Sequence, residues 1–276
     1  VENITGGGGA VAATQVYDAD PDGYTFMIWD ALQPVMGQIG RDVEYDIREM
    51  TKIGAMTLDP NCMIAMNRLE LQGWDDFVDR ISEFNFGTAG RGTTYHMGVI
   101  LLGELTGEYS AEDLNFVHYG GTGEVLSGLE RGEADIALPG TTTSGVKIVD
   151  ALDSELFAVF SDRDTIGWFL DDFGVQPQLW GEDLDLPNLD TYSDITVLPR
   201  AFFGPPEVPE EILSAQRDAF QQIINDEQFL EEAEEAGRPI VDPGDHERVE
   251  ELLDEQFDIL QSEPYVSILQ DALGDS

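Results

Sequence analysis

Apolar and polar positions along the chain switch repeatedly between strand and helix spacing. Residues 1–4 read as a strand end, and four glycines, 6–9, lead into an apolar stretch, 10–16, with helical character. Pro21-Asp22-Gly23 marks a turn, and the run Tyr24-Thr25-Phe26-Met27-Ile28-Trp29 predicts a buried strand. Two further strands are predicted at 53–56 and 62–66, with Asp59-Pro60-Asn61 between them. Trp74, Phe77, Val78 and Ile81 are spaced as one helix face. A strand from Phe84 then breaks into a Gly/Thr loop, 87–94. The helix after it carries Met97, Ile100, Leu101 and Leu105 on one face and stops at Gly107. A strand at 116–119 is followed by Gly120-Gly121-Thr122-Gly123 opening a helix that Gly132 closes. A strand at 135–138 runs into Pro139-Gly140-Thr141-Thr142-Thr143, and another is predicted at 156–160. The region 165–198 reads as irregular apart from a strand at 195–198, and 201–204 reads as a strand ended by Pro205-Pro206. Three helices finish the chain. They start near Pro209, a favoured first helical position, at Asp226 with a stop at Gly237, and near Asp245.

Short strands alternating with helices predict an α/β fold with mainly parallel sheet and crossover helices. In open sheets of that kind, ligands bind beyond the carboxyl ends of the strands. At 276 residues the chain exceeds one ordinary compact domain, so two lobes are expected.

Composition changes the picture through charge. With 42% hydrophobic and 9% aromatic residues the chain is no disordered acidic tail. Yet 13 basic residues face 56 acidic ones, a net charge of −43, and only Lys52 and Lys147 are lysines. Such a coat destabilises a compact state by self-repulsion in dilute buffer. At about 1 M salt the Debye length falls to about 3 Å and the repulsion is largely screened. The acids run from Glu2 to Asp275 rather than in one patch, which points to a salt-loaded environment rather than to a basic partner. The same charge disfavours nucleic acid and anionic membranes. The lone Cys62 cannot form an internal disulfide, and His96, His118 and His246 show no metal-ligand spacing. No metal or other cofactor is therefore expected. No run of 18 apolar residues and no signal peptide is present in the sequence as it stands.

The candidate chemistry lies in the loops after strands. Glycines in 87–94 let several N–H groups converge, and the following helix adds its positive end, so the loop suits a carboxylate or phosphate without a lysine. Thr88, Thr93 and Thr94 offer hydroxyl donors. The plainer reading is a strand-to-helix turn with Thr93 as N-cap. No Gly-Lys-Ser/Thr follows, so it is not a nucleotide-binding P-loop. Tyr119-Gly120-Gly121-Thr122 repeats the arrangement after another strand. Trp29-Asp30, at a third strand end, offers an aromatic wall, although Trp29 equally suits plain core. No nucleophile elbow, zinc motif or His–Cys or His–Ser pairing appears. The pattern is that of a binder rather than an enzyme.

These motifs together resemble the tripartite tricarboxylate transporter substrate-binding proteins, the Bug family of periplasmic receptors. The resemblance runs through Val1-Glu2-Asn3 and the glycine run, Pro21-Asp22-Gly23-Tyr24-Thr25, and Gly87-Thr88-Ala89-Gly90-Arg91-Gly92-Thr93-Thr94-Tyr95-His96. It continues through Val117-His118-Tyr119-Gly120-Gly121, Gly132-Glu133-Ala134-Asp135-Ile136 and Phe203-Gly204-Pro205-Pro206-Glu207-Val208-Pro209. It implies the two-lobed type II periplasmic-binding-protein fold, each lobe a mainly parallel sheet flanked by helices. The expected division is 1–84 plus 197–276 for the first lobe and 85–196 for the second. It further implies a small mono- or dicarboxylate ligand held by Thr88, Ala89, Gly90, Arg91, Gly92, Thr93, Thr94 and His96. Trp29, Asp30, Tyr119, Gly120, Gly121, Thr122, Thr141 and Thr142 complete the expected site. Where the family often has a polar or acidic residue, this chain has Leu138-Pro139-Gly140, handing that contact to Thr141 or Thr142. The family also carries roughly 40 residues before the Val-Glu-Asn match, about the size of a strand–loop–helix unit. The first lobe is expected to lack that strand and its carboxylate loop. The implied protein is an extracytoplasmic monomer of a halophile, delivering its ligand to the membrane subunits of a secondary transporter. The alternatives are a ligand-sensing module of a membrane signalling system and an enzyme on a related fold.

Overall fold

The computed structural model describes residues 1–4, 6 and 9–273. Gly7 and Gly8 of the glycine run lie outside the described residues. In chain order the first elements are α1 (Ala10–Tyr17), β1 (Met27–Asp30), α2 (Leu32–Gly40), β2 (Thr51–Asp59), β3 (Cys62–Met66), α3 (Trp74–Asp79) and β4 (Asn85–Thr88). There follow α4 (Thr94–Thr106), β5 (Asn115–His118), α5 (Thr122–Arg131), β6 (Ile136–Ala137), α6 (Thr142–Ala151), β7 (Ser154–Val159), α7 (Arg163–Phe173) and β8 (Leu179–Trp180). The chain ends with α8 (Leu189–Thr196), β9 (Leu198–Gly204), α9 (Glu210–Ile224), α10 (Glu227–Glu235), α11 (His246–Leu260) and α12 (Tyr265–Leu273).

Two compact units result, one of Val1–Leu58 with Leu198–Ser276 and one of Asp59–Val197. The first division falls at 58/59, earlier than the expected 84/85, because β3 is built into the second unit's sheet between β6 and β7. The return falls at 197/198, one residue from the expected 196/197.

The second unit holds a six-stranded sheet in the order β5-β4-β6-β3-β7-β8. The pairs β4–β5, β4–β6 and β7–β8 are parallel, and β3 alone runs antiparallel to both its neighbours. Because β5, β4 and β6 are adjacent and parallel, the loops after them emerge at one edge of the sheet. Phe77 centres the core beneath, its ring 6.2 Å from Phe84 in a stacked pair and 5.7 Å from Phe157. Helix α4 is apolar nearly all round and buried along most of its length, as a central helix must be. Helix α6 lies tight on β3: a Cβ at Gly145 would stand 2.6 Å from Cys62 Sγ.

The first unit has a three-stranded sheet, β1-β9-β2, in which β1 and β9 are antiparallel. Ile53, Val208, Leu213, Phe220 and Ile224 form a core cluster, with Phe202 packed against it. A Cβ at Gly54 would meet the Phe220 ring at 2.3 Å, so the small residue lets α9 approach the strand.

Several local expectations are corrected. Residues 1–4 form no strand. The strand expected at 24–29 starts only at Met27, and Tyr24 is 89% exposed rather than buried. The region expected to be irregular contains α7 and α8, and 195–196 closes α8 instead of opening a strand. Ile166, Phe169 and Leu170 form the buried stripe of α7, Asp162 caps its first turn and Gly174 ends it in the left-handed conformation. Acids at 164, 171 and 172 flank that stripe, so the apolar stretch is too short to announce a helix by itself.

Candidate functional site

The loop between β4 and α4 is the centre of interest. Gly90 and Gly92 take φ values of 127° and 72°, a region that side-chain-bearing residues rarely adopt. Gly92 N–H donates to Nδ1 of His96 at 3.0 Å, which leaves Nε2 of the neutral ring to carry the proton. His96 is only 5% exposed, with its ring edge-on to Phe116 and His118. Burial, then His118 and Arg91, push its pKa down to about 4. His96 thus fixes the loop from within. Thr93 occupies the N-cap position but does not cap; its hydroxyl donates 2.8 Å to the Gly90 carbonyl. Thr88 Oγ1 lies 2.6 Å from His118 Nδ1 and is fully buried.

With the hydroxyls so engaged, the backbone is left open. Among the described residues, no protein acceptor meets the N–H groups of Ala89, Gly90, Arg91, Thr93 and Thr94. Arg91 is exposed and forms no ion pair among the described residues, in a chain where acids outnumber bases by 56 to 13. Open N–H groups, a helix N-terminus and an exposed guanidinium therefore lie within this one loop, groups of the kind that suit a carboxylate.

The turn after β5 lies beside it. Strands β4 and β5 are in register from Asn85↔Asn115 to Thr88↔His118, and Tyr119 N–H donates to the Thr88 carbonyl at 2.9 Å. Tyr95 Oη reaches Thr122 Oγ1 at 3.4 Å. Here the chain supplies its own anion: Gly120 N–H donates to Glu124 Oε2 at 2.9 Å. The N–H groups of Gly121 and Thr122 meet no protein acceptor among the described residues. Tyr119 folds back on Gly128, where a Cβ would stand 2.0 Å from its hydroxyl.

The turn after β6 is closed. Thr142 and Thr143 N–H groups donate to the carboxylate of Asp59, itself only 2% exposed. Thr142 Oγ1 donates to the Pro60 carbonyl, and Thr141 Oγ1 caps Ser144 N–H. Thr141 and Thr142 therefore anchor α6 to the β2–β3 turn instead of presenting donors to a ligand. In the first unit, Asp30 Oδ1 accepts from Gln33 N–H at 2.8 Å, and burial raises its pKa to about 6 against the pull of that bond and of Arg200. Trp29 packs edge-on to Tyr45 and against Gly9, where a Cβ would come within 2.7 Å of its ring.

Of the expected second-unit residues, the structure brings together 88–94, His96 and 119–122 and assigns Thr141 and Thr142 elsewhere. Glu124 and Asp59 were missed: in a sequence with 56 acids nothing marks these two. A weak signal existed for Glu124, an acid in the first turn of a helix opening on glycines.

The family described as tripartite tricarboxylate transporter family receptor matches residues 1–166, more than half of the chain. The chain belongs to this family. A UPF0065 protein in the TAR-I ttuE-ttuC' intergenic region of Agrobacterium vitis is 28% identical over 153 residues. That match takes in 54% of this chain and 43% of the length of that relative. Among solved structures the chain is similar to MatC from Rhodopseudomonas palustris with bound malate, at 18% identity and a TM-score of 0.69, over 99% of this chain and 86% of that one. It is also similar to R. palustris Rpa4515 with adipate, at 17% identity and a TM-score of 0.64, over 99% and 85%. At these identities the likeness is one of fold, the two-lobed α/β fold of periplasmic binding proteins. A tripartite tricarboxylate transporter family receptor is a binder rather than an enzyme, as the sequence predicts. Among the described residues, no helix is long and apolar enough to cross a membrane.

Proposed function

We propose that this receptor captures a small mono- or dicarboxylate outside the cytoplasm, in a salt-rich environment, and delivers it to the membrane subunits of a tripartite tricarboxylate-type transporter. The observation that carries the reading is the contrast between three neighbouring turns. The turns after β5 and β6 hold the chain's own carboxylates, Glu124 and Asp59, whereas the loop 89–94 offers open N–H groups and Arg91 with no acid upon them among the described residues. Malate in MatC and adipate in Rpa4515 are small carboxylates and support the ligand class. Recognition is short-range, because a net charge of −43 repels an anion at distance and only salt screens that field.

The test is a thermal-shift and calorimetric screen of organic acids at about 2 M KCl, where the Debye length is near its 1 M value of about 3 Å or less. At least one small carboxylate is expected to stabilise the protein in a saturable manner, and the uncharged amides and alcohols of the same size to have no effect. A screen in which no carboxylate binds overturns the proposal.

A further inference from the structure

Resting on that reading, the position of Glu124 narrows the ligand class. We infer that Glu124 is a specificity-determining residue that turns the second unit against a second carboxylate and towards a monocarboxylate whose far end is a neutral group able both to donate and to accept hydrogen bonds, such as an amide or hydroxyl.

The two turns are close neighbours. Tyr119 N–H is bonded to the Thr88 carbonyl, and a Cβ at Gly90 would lie 3.8 Å from the Tyr119 carbonyl oxygen. Parallel strands lie about 4.8 Å apart, so a ligand carboxylate held by the loop 89–94 directs the rest of the molecule past the turn at Gly120. There it meets two kinds of group. Glu124 is exposed and held by Gly120 N–H, which leaves its other oxygen, Oε1, to accept a hydrogen bond. Beside it, the N–H groups of Gly121 and Thr122 are donors without a protein acceptor among the described residues. A second carboxylate satisfies the N–H groups but stands against Glu124 as a like charge. An ammonium satisfies Glu124 but faces the N–H groups as a donor against donors. An amide or hydroxyl meets both, donating a hydrogen bond to Glu124 and accepting one from the turn.

Succinate and succinamate isolate the effect, since they share size and shape and differ by one charge. Calorimetry at about 2 M KCl on the wild-type protein is expected to show succinamate binding about tenfold or more tightly than succinate, the scale of a like-charge contact at a recognition site. Glu124→Gln keeps an acceptor for Gly120 N–H and removes the charge. It is expected to collapse that preference to within about twofold, mainly through tighter succinate binding. An unfolding curve superimposable on the wild type shows that the exposed substitution leaves the fold intact. Succinate preferred by the wild type, or a ratio unmoved in Glu124→Gln, overturns the inference while the carboxylate site stands. Binding of neither probe, nor of any other carboxylate, removes the site and the inference with it.

Discussion

At Gly92 the backbone turns through a φ of 72° and its N–H points at His96, so one residue has both a conformational and a hydrogen-bonding duty. An alanine there carries roughly 1–2 kcal/mol of left-handed strain, and Gly92→Ala is expected to weaken carboxylate affinity about tenfold, read by calorimetry. His96 contributes through its charge state. Its pKa is about 4 in the folded chain against an ordinary value of 6.5. Between those values the unfolded chain binds a proton that the native one refuses. The stabilisation is whole above pH 6.5 and is lost as pH falls towards 4. It amounts to on the order of 2–3 kcal/mol. Denaturant unfolding at pH 7.5 and 4.5 should show a smaller pH dependence in His96→Gln than in the wild type, and the 15N shifts of His96 should report a neutral ring at pH 5.5. The importance of the glycines was legible in the sequence, because a Gly-x-Gly loop after a strand demands such angles. The inward use of His96 was not, because nothing local says whether a histidine faces a ligand or its own loop.

The elements sort by how their apolar positions are spaced. Helix α4, carried by Met97, Ile100, Leu101 and Leu105, was plain in the sequence, and so was its glycine stop at 107. Helix α7 was hidden because its buried residues fall in one short apolar stretch flanked by acids, and α8 because polar and acidic residues separate its buried positions. The strand before Trp29 was overextended: β-branched and aromatic residues at 24–26 suit a strand, but pairing with β9 begins only at Met27↔Phe203. Burial, rather than residue type, then sets the energetic weight. Phe77, fully buried among Phe84, Phe86, Tyr109 and Phe157, should cost about 3–5 kcal/mol when replaced by alanine. Tyr24, almost wholly exposed, should cost less than about 0.5 kcal/mol. Chemical denaturation of Phe77→Ala and Tyr24→Ala distinguishes the two directly.

For the molecule as a whole the acid coat governs the conditions under which it stays folded. With only 13 basic residues in the chain, ion pairs such as Arg68–Asp135 and Arg131–Glu133 can engage only a small share of the 56 acids. The remaining repulsion is met by screening, which acts within a Debye length of about 10 Å at 0.1 M salt and about 3 Å at 1 M. Raising KCl from 0.1 to 2 M is expected to raise the unfolding midpoint by roughly 10 °C or more, the shift that a few kcal/mol produces in a chain of this size. Differential scanning calorimetry across that range is the check, and a midpoint insensitive to salt would remove the case for a salt-rich setting.

The sequence by itself determined the alternation of strands and helices, the glycines where the backbone must turn, and the surplus of negative charge. These are local or additive properties, carried by spacing, by the absence of a Cβ and by a sum over side chains. The tertiary structure alone decided the path of β3 into the second unit, which pairing partners select, and the fate of three similar turns. Each turn has N–H groups that suit an anion, and the chain carries carboxylates in abundance. Only packing determines that Asp59 reaches α6 and Glu124 reaches Gly120, while no carboxylate among the described residues reaches the loop at Gly90 and Arg91.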